Sequence, residues 1–510
     1  MSKTVSKIFS AELEGINSRP IEVETDINVG LASFTIVGLA DKAVSEAKER
    51  VSSAIKNSGL KPPNKENRKI TVNLAPADVK KNGSQYDLAI ALGYLLSSGQ
   101  MRPFDSSKKI FIGELSLDGK LRRVVGVLNI VGMAKDMGFE EIFIPKDNSY
   151  EASFIKGIKI YPVENLVQII SHLEEKSFIE LSKESEFVPL RFLGVDISEI
   201  KGQENAKRAL MIAAAGGHNI FMSGPPGAGK TMLAQSLVSV LPQMSLEEAL
   251  ETTKIYSAAG LLEKDLFIAS RPFRSPHHNA SMVSVVGGGQ NPRPGEVSLA
   301  HRGVLFLDEI PEFHRDVLEA LRQPLEDGKV TISRSRGVLT LPCRFMMVAA
   351  SNPCPCGYFG DDKKECQCNP YEIARYQKKL SGPLLDRIDI HIWVGRLNSE
   401  DLKNPINPNE SESIRKKIFD ARNIQKERFN KLNLKIFANS ELSSKQVDSI
   451  VKLEPQAKIL LDKMFDKAYL SARGYFKILK VAQTIADLDG LEIITPQIIS
   501  EAFSYRARVS

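Results

Sequence analysis

The run Gly224-Pro225-Pro226-Gly227-Ala228-Gly229-Lys230-Thr231 fits G-x-x-x-x-G-K-[ST], and Met232 carries it on into an apolar helical stretch. Glycines at the fixed positions let backbone N–H groups wrap an anion where a Cβ would obstruct the turn. A helix starting at Lys230 aims its N-terminal dipole at the same point. The chemistry is phosphate binding. Lys230 would reach the β- and γ-phosphates of ATP, and the Thr231 hydroxyl would hold Mg²⁺. An apolar strand before the motif and a helix after it separate this occurrence from a chance match.

Downstream, GVLFLDE (Gly303 to Glu309) is an apolar run closed by two carboxylates. Asp308 would coordinate Mg²⁺ through water and Glu309 would polarise the attacking water. Taken alone, such a strand end is equally an ordinary acidic pair; the phosphate loop in the same block gives it weight. FMMVAASNP brings a strand to Asn352, whose amide either aligns the lytic water or caps the next turn. LSGPLLDRIDI offers Arg387, either a catalytic cation or the ion-pair partner of Asp386 or Asp389.

Four of the five cysteines fall within one short stretch, as the C-x-C pairs Cys354/Cys356 and Cys366/Cys368. A tight cluster suits a metal better than a disulfide framework, and four thiolates suit structural, tetrahedral Zn²⁺. The spacing is not the common C-x₂-C, and the alternative is four reduced thiols. Cys343, inside an apolar strand, reads as core.

Basic residues gather in two places. Arg271 to Arg302 carries Arg271, Arg274, His277, His278, Arg293, His301 and Arg302 against the single acid Glu296. Its glycines and prolines predict a projecting, mobile loop. VTISRSRGVLTLP predicts two short strands around Arg334 and Arg336 with Gly337 at the turn. Cations there, Arg293, Arg334 and Arg336 foremost, would contact DNA phosphates without reading sequence. Acids on a neighbouring subunit are the competing partners.

The elements that must position these groups fall into blocks. At 510 residues, two to four domains are expected. Residues 1–177 mix strands (KITVNL, KIFIGEL, EEIFIP) with helices (YDLAIALGYLLSSG, VGVLNIVGMAKDMGF), and 178–189 read as a charged linker. Residues 190–396 alternate strands and helices, and 397–510 have a helical pattern almost throughout. The chain is 42% hydrophobic and 25% charged, with a net charge of +6, a mild bias compatible with a polyanionic partner. No run approaches the ~18 apolar residues of a membrane helix and no secretory leader is visible, so a cytoplasmic protein is expected.

GPPGAGKT, GVLFLDE, VAASNP, LLDRIDI and YLSARGYFKILKVAQTIADLDG together resemble the magnesium-chelatase-like branch of AAA+ ATPases. The whole chain is similar to the YifB/ComM family of that branch, notably in HRGVLFLDEIPEFHRDVLEALRQPLEDG and RSPHHNASMVSVVGGG. The resemblance implies an α/β multidomain chain: an N-terminal Lon-protease-like α+β domain, a central AAA+ P-loop α/β domain and a C-terminal helical lid domain. It implies that Asn352 is a first sensor, Arg387 a finger for the neighbour's site and Arg473 a second sensor at the γ-phosphate. DISEIKGQ, ending at Gln203, would lie against adenine. A finger acting in trans implies a ring, a homo-hexamer, with the basic insertions lining its pore.

Matched to the Lon pattern, Gln85 stands where the nucleophilic serine would be and Leu128 where its lysine would be, so the proteolytic dyad is absent. A role in assembly or DNA contact is implied instead. The family's implied activity is ATP hydrolysis coupled to helicase action and branch migration on single-stranded and branched DNA, in natural transformation and homologous recombination. The alternatives are a metal-insertion ATPase like magnesium chelatase, whose D-x-S-x-S signature is missing here, and a protein-remodelling ATPase.

Overall fold

A computed structural model describes the chain except residues 1–4, 40, 64–66, 191–193, 264–265, 290–292, 335–336, 399–406, 408, 468–470 and 507–510. It divides into two compact units, 1–188 with 246–269, and 189–245 with 270–510. These units cut across the sequence blocks: 178–188 fall in the first unit, and 397–510 share the second with the ATPase block. Residues 246–269 lie within the 190–396 block yet pack with the first unit. The Ser257 hydroxyl donates to Glu151 at 2.8 Å, and the Phe154 and Phe267 rings stack with centroids 3.9 Å apart.

In the first unit the strands are β1 (Ser6–Glu14), β2 (Asn17–Val29), β3 (Ser33–Val37), β4 (Arg68–Ala75), β5 (Lys109–Phe111), β6 (Glu114–Leu115), β7 (Leu121–Arg122), β8 (Glu141–Pro145) and β9 (Lys159–Val163). Seven of them form a mixed sheet in the order β3-β4-β2-β1-β5-β8-β9, and β6 and β7 form a separate hairpin. The KITVNL strand and the EEIFIP strand are β4 and β8. KIFIGEL, read as one strand, is split between β5 and β6. The helix Asp87–Ser97 is buried from Asp87 through Leu95, as its near-continuous apolar sequence requires.

The second unit holds β10 (Ile220–Ser223), β11 (Phe273–Arg274), β12 (Gly287–Gly288), β13 (Arg293–Pro294), β14 (Val304–Leu307), β15 (Lys329–Arg334), β16 (Gly337–Pro342), β17 (Met346–Ser351) and β18 (Ile390–Trp393). Five make a parallel sheet in the order β11-β14-β17-β10-β18. Every residue of β14 and β17 is buried, the mark of central parallel strands covered on both faces. β10 lies between β17 and β18: its own connection runs toward β11 at one edge, while the connection from β17 passes over it to β18 at the other, which opens a crevice at the carboxyl ends. The C-terminal helices Glu410–Lys431 and Ala472–Leu488 share this unit's core, with Ile418, Ile478 and Ile485 in the same apolar cluster as Ile220 and Val348. Among the described residues, no helix is long and apolar enough to cross a membrane.

A buried acid gives the first unit a pH signature. Glu12 is 3% exposed, and burial pushes its carboxyl up to about 7 against opposing hydrogen bonds from Tyr86 and Asn82. The folded chain thus holds a proton that the unfolded chain releases near its ordinary value of 4.5. This contribution to stability is full below that value and is lost as pH rises through about 7, on the order of 3 kcal/mol in all. Glu12→Gln should therefore flatten the fall in unfolding midpoint between about pH 5 and about pH 8. Equal slopes for the variant and the native chain in denaturant titrations would assign the effect elsewhere.

Candidate active site

The phosphate loop leaves β10 at Ser223, which is in register with Ser351 of β17 and Trp393 of β18. This shared level brings three chain segments to one edge. Gly224 turns so close to β18 that a Cβ there would lie 2.1 Å from the Val394 carbonyl oxygen. Gly229, at φ +90°, supplies the left-handed turn into the helix Lys230–Val240. Gly227 is likewise left-handed, and Ala228 is buried.

Pro226, Gly227, Ala228, Gly229, Lys230, Thr231, Met232, Asp308, Glu309, Ser351 and Asn352 line one pocket of about 440 Å³. The Lys230 ammonium donates to the Gly224 and Pro225 carbonyls at 2.7 and 3.1 Å and to Asn352 Oδ1 at 3.1 Å. All three acceptors are neutral. Burial lowers the lysine's pKa, and the Asp308 and Glu309 carboxylates oppose that shift. A cation desolvated among neutral oxygens retains a strong attraction for an anion. Thr231 Oγ1 donates to Asp308 Oδ2 at 3.0 Å, which joins the two residues suited to Mg²⁺. The oxygen donors of Thr231 and Asp308 fit a hard divalent cation that keeps much of its water. Glu309 adopts φ +49°, uncommon for a residue with a side chain, and its carboxylate is 55% exposed with His278 Nδ1 3.9 Å away. Asn352 thus joins the pocket rather than merely closing a turn.

Gln203 is also left-handed, at φ +59°, and its amide donates to the Gly395 carbonyl at 2.7 Å and the Ala228 carbonyl at 3.4 Å. It ties the segment before the helix Glu204–Gly216 to the phosphate loop.

Arg387 and Arg473 are not among the pocket-lining residues. Arg387 is 8% exposed and pairs with neither Asp386 nor Asp389. Its Nη1 donates to the Pro383 carbonyl at 2.6 Å, and its Nη2 lies 2.5 Å from Glu326 Oε1. Arg473 Nη2 approaches the same oxygen at 3.0 Å. Glu326 has no signature in the sequence beyond belonging to an acidic pair, Glu326-Asp327, before Gly328. The helix bearing Arg473 is fixed one turn later, where Lys477 Nζ meets Asp389 Oδ1 at 2.6 Å. Burial would raise the Asp389 carboxyl, but Lys477 and His218 hold it well below the usual carboxylate range.

The basic stretch 271–302 is more structured than its composition predicts. Arg274 lies on β11 and makes a two-pronged pair with Glu296 at 2.6 and 2.8 Å; Arg271 donates to the Pro242 and Arg302 carbonyls. His301 is 2% exposed and accepts from the Arg344 backbone, and Arg302 lies 4.0 Å over the Phe437 ring. These side chains brace the sheet edge. Arg293, on the short hairpin β12–β13, remains exposed. Arg334 ends β15 opposite Gly337 in the β15–β16 hairpin; Arg336 lies outside the described residues.

The four clustered thiols converge. Cys354 Sγ is 3.4 Å from Cys356 Sγ and 3.6 Å from Cys366 Sγ; Cys356 and Cys366 are 3.6 Å apart, and all four sulfurs lie within 4.8 Å of one another. Ligands 2.3 Å from a tetrahedral Zn²⁺ stand about 3.8 Å apart, so the donor set fits that ion. Cys343 is core, 1% exposed, with its thiol pushed up to about 12 by burial. In the first unit Gln85 donates to Glu12 at 3.0 Å, and Leu128 is fully buried.

Three family models match this chain: magnesium chelatase, subunit ChlI, over residues 196–402; subunit ChlI of Mg-chelatase over 23–148; and the subunit ChlI C-terminal model over 408–506. The chain is 43% identical over 505 residues to the protein YifB of Escherichia coli strain K12, covering 99% of this chain and 97% of that one. It is 42% identical over 513 residues to competence protein ComM of Haemophilus influenzae, covering 98% and 97%. The chloroplastic magnesium-chelatase subunit ChlI-2 of Arabidopsis thaliana is 22% identical over 362 residues, 66% of this chain and 78% of that one.

The pocket geometry separates binding from hydrolysis. Lys230→Ala should weaken fluorescent-nucleotide binding at least about tenfold, and undiminished affinity would remove the lysine from the phosphate site. Glu309→Gln should bind nucleotide normally while turnover falls about a hundredfold or more, because the change leaves the phosphate loop intact and removes a carboxylate suited to polarising water. Near-normal phosphate release from that variant would place the base on another residue.

Proposed function

The chain belongs to the YifB/ComM family of magnesium-chelatase ChlI-like proteins, and on that premise we propose that it is a ring-forming AAA+ motor that spends ATP to move along DNA. One observation carries the ATPase part: Lys230, Thr231, Asp308, Glu309 and Asn352 meet in a single pocket at the carboxyl edge of the parallel sheet. Lys230 and the loop amides hold the phosphates, Thr231 and Asp308 hold Mg²⁺, Glu309 activates water and Asn352 orients it. The metal supplies charge neutralisation on the β- and γ-phosphates.

Arg387 acts as a finger on the neighbouring protomer's nucleotide, and Arg473 is the second sensor at the γ-phosphate. The observation supporting the finger is that Arg387 stands apart from this pocket's lining, where it shares one carboxylate, Glu326, with Arg473. A site completed from next door calls for a closed ring, and six subunits is the family's number. Arg293, Arg334 and Arg336 grip DNA backbone. The first unit, Lon-protease-like in sequence, has Gln85 and Leu128 in place of the dyad and serves assembly or DNA contact in the cytoplasm. Kinship with a competence protein along nearly the whole chain favours branch migration during strand integration over metal insertion. The cysteine cluster binds structural zinc.

Single-stranded DNA should stimulate ATP turnover several-fold, and the protein should unwind forked and four-way substrates. Absence of both would overturn the motor reading. Replacing Arg334 and Arg336 together by alanine should lower affinity for single strands and reduce the slope of log K against log salt by about 1.4. An unchanged slope would remove the hairpin from the DNA path. Lys230→Ala and Arg387→Ala should each be inactive, yet an equimolar mixture should regain turnover where one protomer's intact loop meets the other's intact finger. A dead mixture of assembled proteins would refute action in trans.

A further inference from the structure

The cysteine cluster lies against the nucleotide pocket, not at a remote surface. Cys354 follows Asn352 by two residues and is fully buried at the end of β17. Within the loop it starts, Gly357 has φ +85°, and a Cβ there would stand 2.8 Å from Pro226 Cδ and 3.9 Å from Asn352 Cγ. Pro226 belongs to the phosphate loop, and Asn352 Oδ1 accepts a hydrogen bond from Lys230. One backbone turn of the cysteine loop therefore packs against Pro226 and lies beside Asn352, both of which line the pocket.

The rest of the loop has little to hold it. Residues 358–368 form no helix or strand and are mostly exposed, the Asp361 side chain excepted. Fixing such a segment costs roughly 1 kcal/mol or more per residue in backbone entropy. One anchor is buried: the Asp361 side chain, 3% exposed, pairs with Arg396 at 3.1 Å. The others, Lys364 over the Tyr358 ring at 4.1 Å and Lys363 on the Leu397 carbonyl at 3.0 Å, are exposed and contribute little each. Four thiolate–metal bonds would add a stronger constraint across the loop's two ends, since Cys366 and Cys368 close it back onto Cys354 and Cys356.

We propose that this four-thiolate site is a zinc-held buttress of the nucleotide pocket: metal occupancy fixes Gly357 against Pro226 and Asn352, and so sets the affinity of the phosphate loop for nucleotide. The inference rests on the ATP-site reading and on zinc as the ligand. It adds the coupling between them. Gly357 is the positioning residue, and any side chain there displaces the proline it supports.

The test uses the full chain with three measurements: zinc per protomer by elemental analysis, affinity for a fluorescent ATP analogue, and thermal unfolding as a check of fold. Cys368→Ser, distant in sequence from the pocket residues, should lose zinc and lose about tenfold or more in nucleotide affinity. Gly357→Ala should keep its zinc and show a comparable loss, which a fold-wide defect would not produce. Native protein stripped by a chelator should weaken likewise and recover on addition of Zn²⁺ alone. Loss of zinc with unchanged nucleotide affinity would overturn the coupling while leaving the ATP site intact. Zinc-free native protein that binds nucleotide fully would overturn the metal as well. Failure of zinc-loaded native protein to bind nucleotide at all would instead defeat the ATP-site reading beneath it.

Discussion

A desolvated ammonium organises the reactive edge of the second unit. Lys230 is 9% exposed and its hydrogen bonds end on two main-chain carbonyls and one amide oxygen, none of them charged. Such a group is tolerable only if the surrounding backbone is held rigidly enough to keep all three acceptors in place. The parallel sheet does that by ending β10, β17 and β18 at one level. The glycines bordering the loop follow from the same demand, since Gly224 passes within contact of β18 and Gly229 must turn left-handed before the helix can begin.

The second arrangement that matters is the wedge between that edge and the C-terminal helices. Asp389 and Lys477 form an ion pair out of water, with His218 on the other carboxylate oxygen at 3.4 Å. Removing either charge would strand its partner, so this contact specifies how the helix Ala472–Leu488 meets β18 far more than it adds net stability. Arg387 and Arg473 inherit their proximity from it, being two residues before Asp389 and four before Lys477.

Much of this was readable from residue types. The phosphate loop, Asp308, Glu309 and Asn352 announce themselves because their chemistry is local: each sits at the end of an apolar strand with its turn residues beside it. The family resemblance is carried by the same segments. What escaped are relations between distant segments. Glu326 has an ordinary sequence setting, and only tertiary placement brings two guanidinium groups to it. Residues 246–269 read as part of the ATPase block because a helical pattern does not name the core it joins; Ser257 and Phe267 decide that by docking on Glu151 and Phe154. Arg274 and His301 counted as loop cations by composition, yet Glu296 and a backbone amide absorb them.

The oxygen shared by Arg387 and Arg473 has an arithmetic of its own. Two full positive charges meet a single negative one, so the trio carries a surplus of one unit. A carboxylate so placed is a monovalent stopper in a socket suited to something more highly charged. A triphosphate tail presented from outside would outbid it on electrostatics alone, and Glu326 would then be released to solvent, through which the half-exposed side chain already reaches. Exchange of one anion for another, rather than creation of a contact from nothing, is how this corner of the molecule would register an adjoining nucleotide.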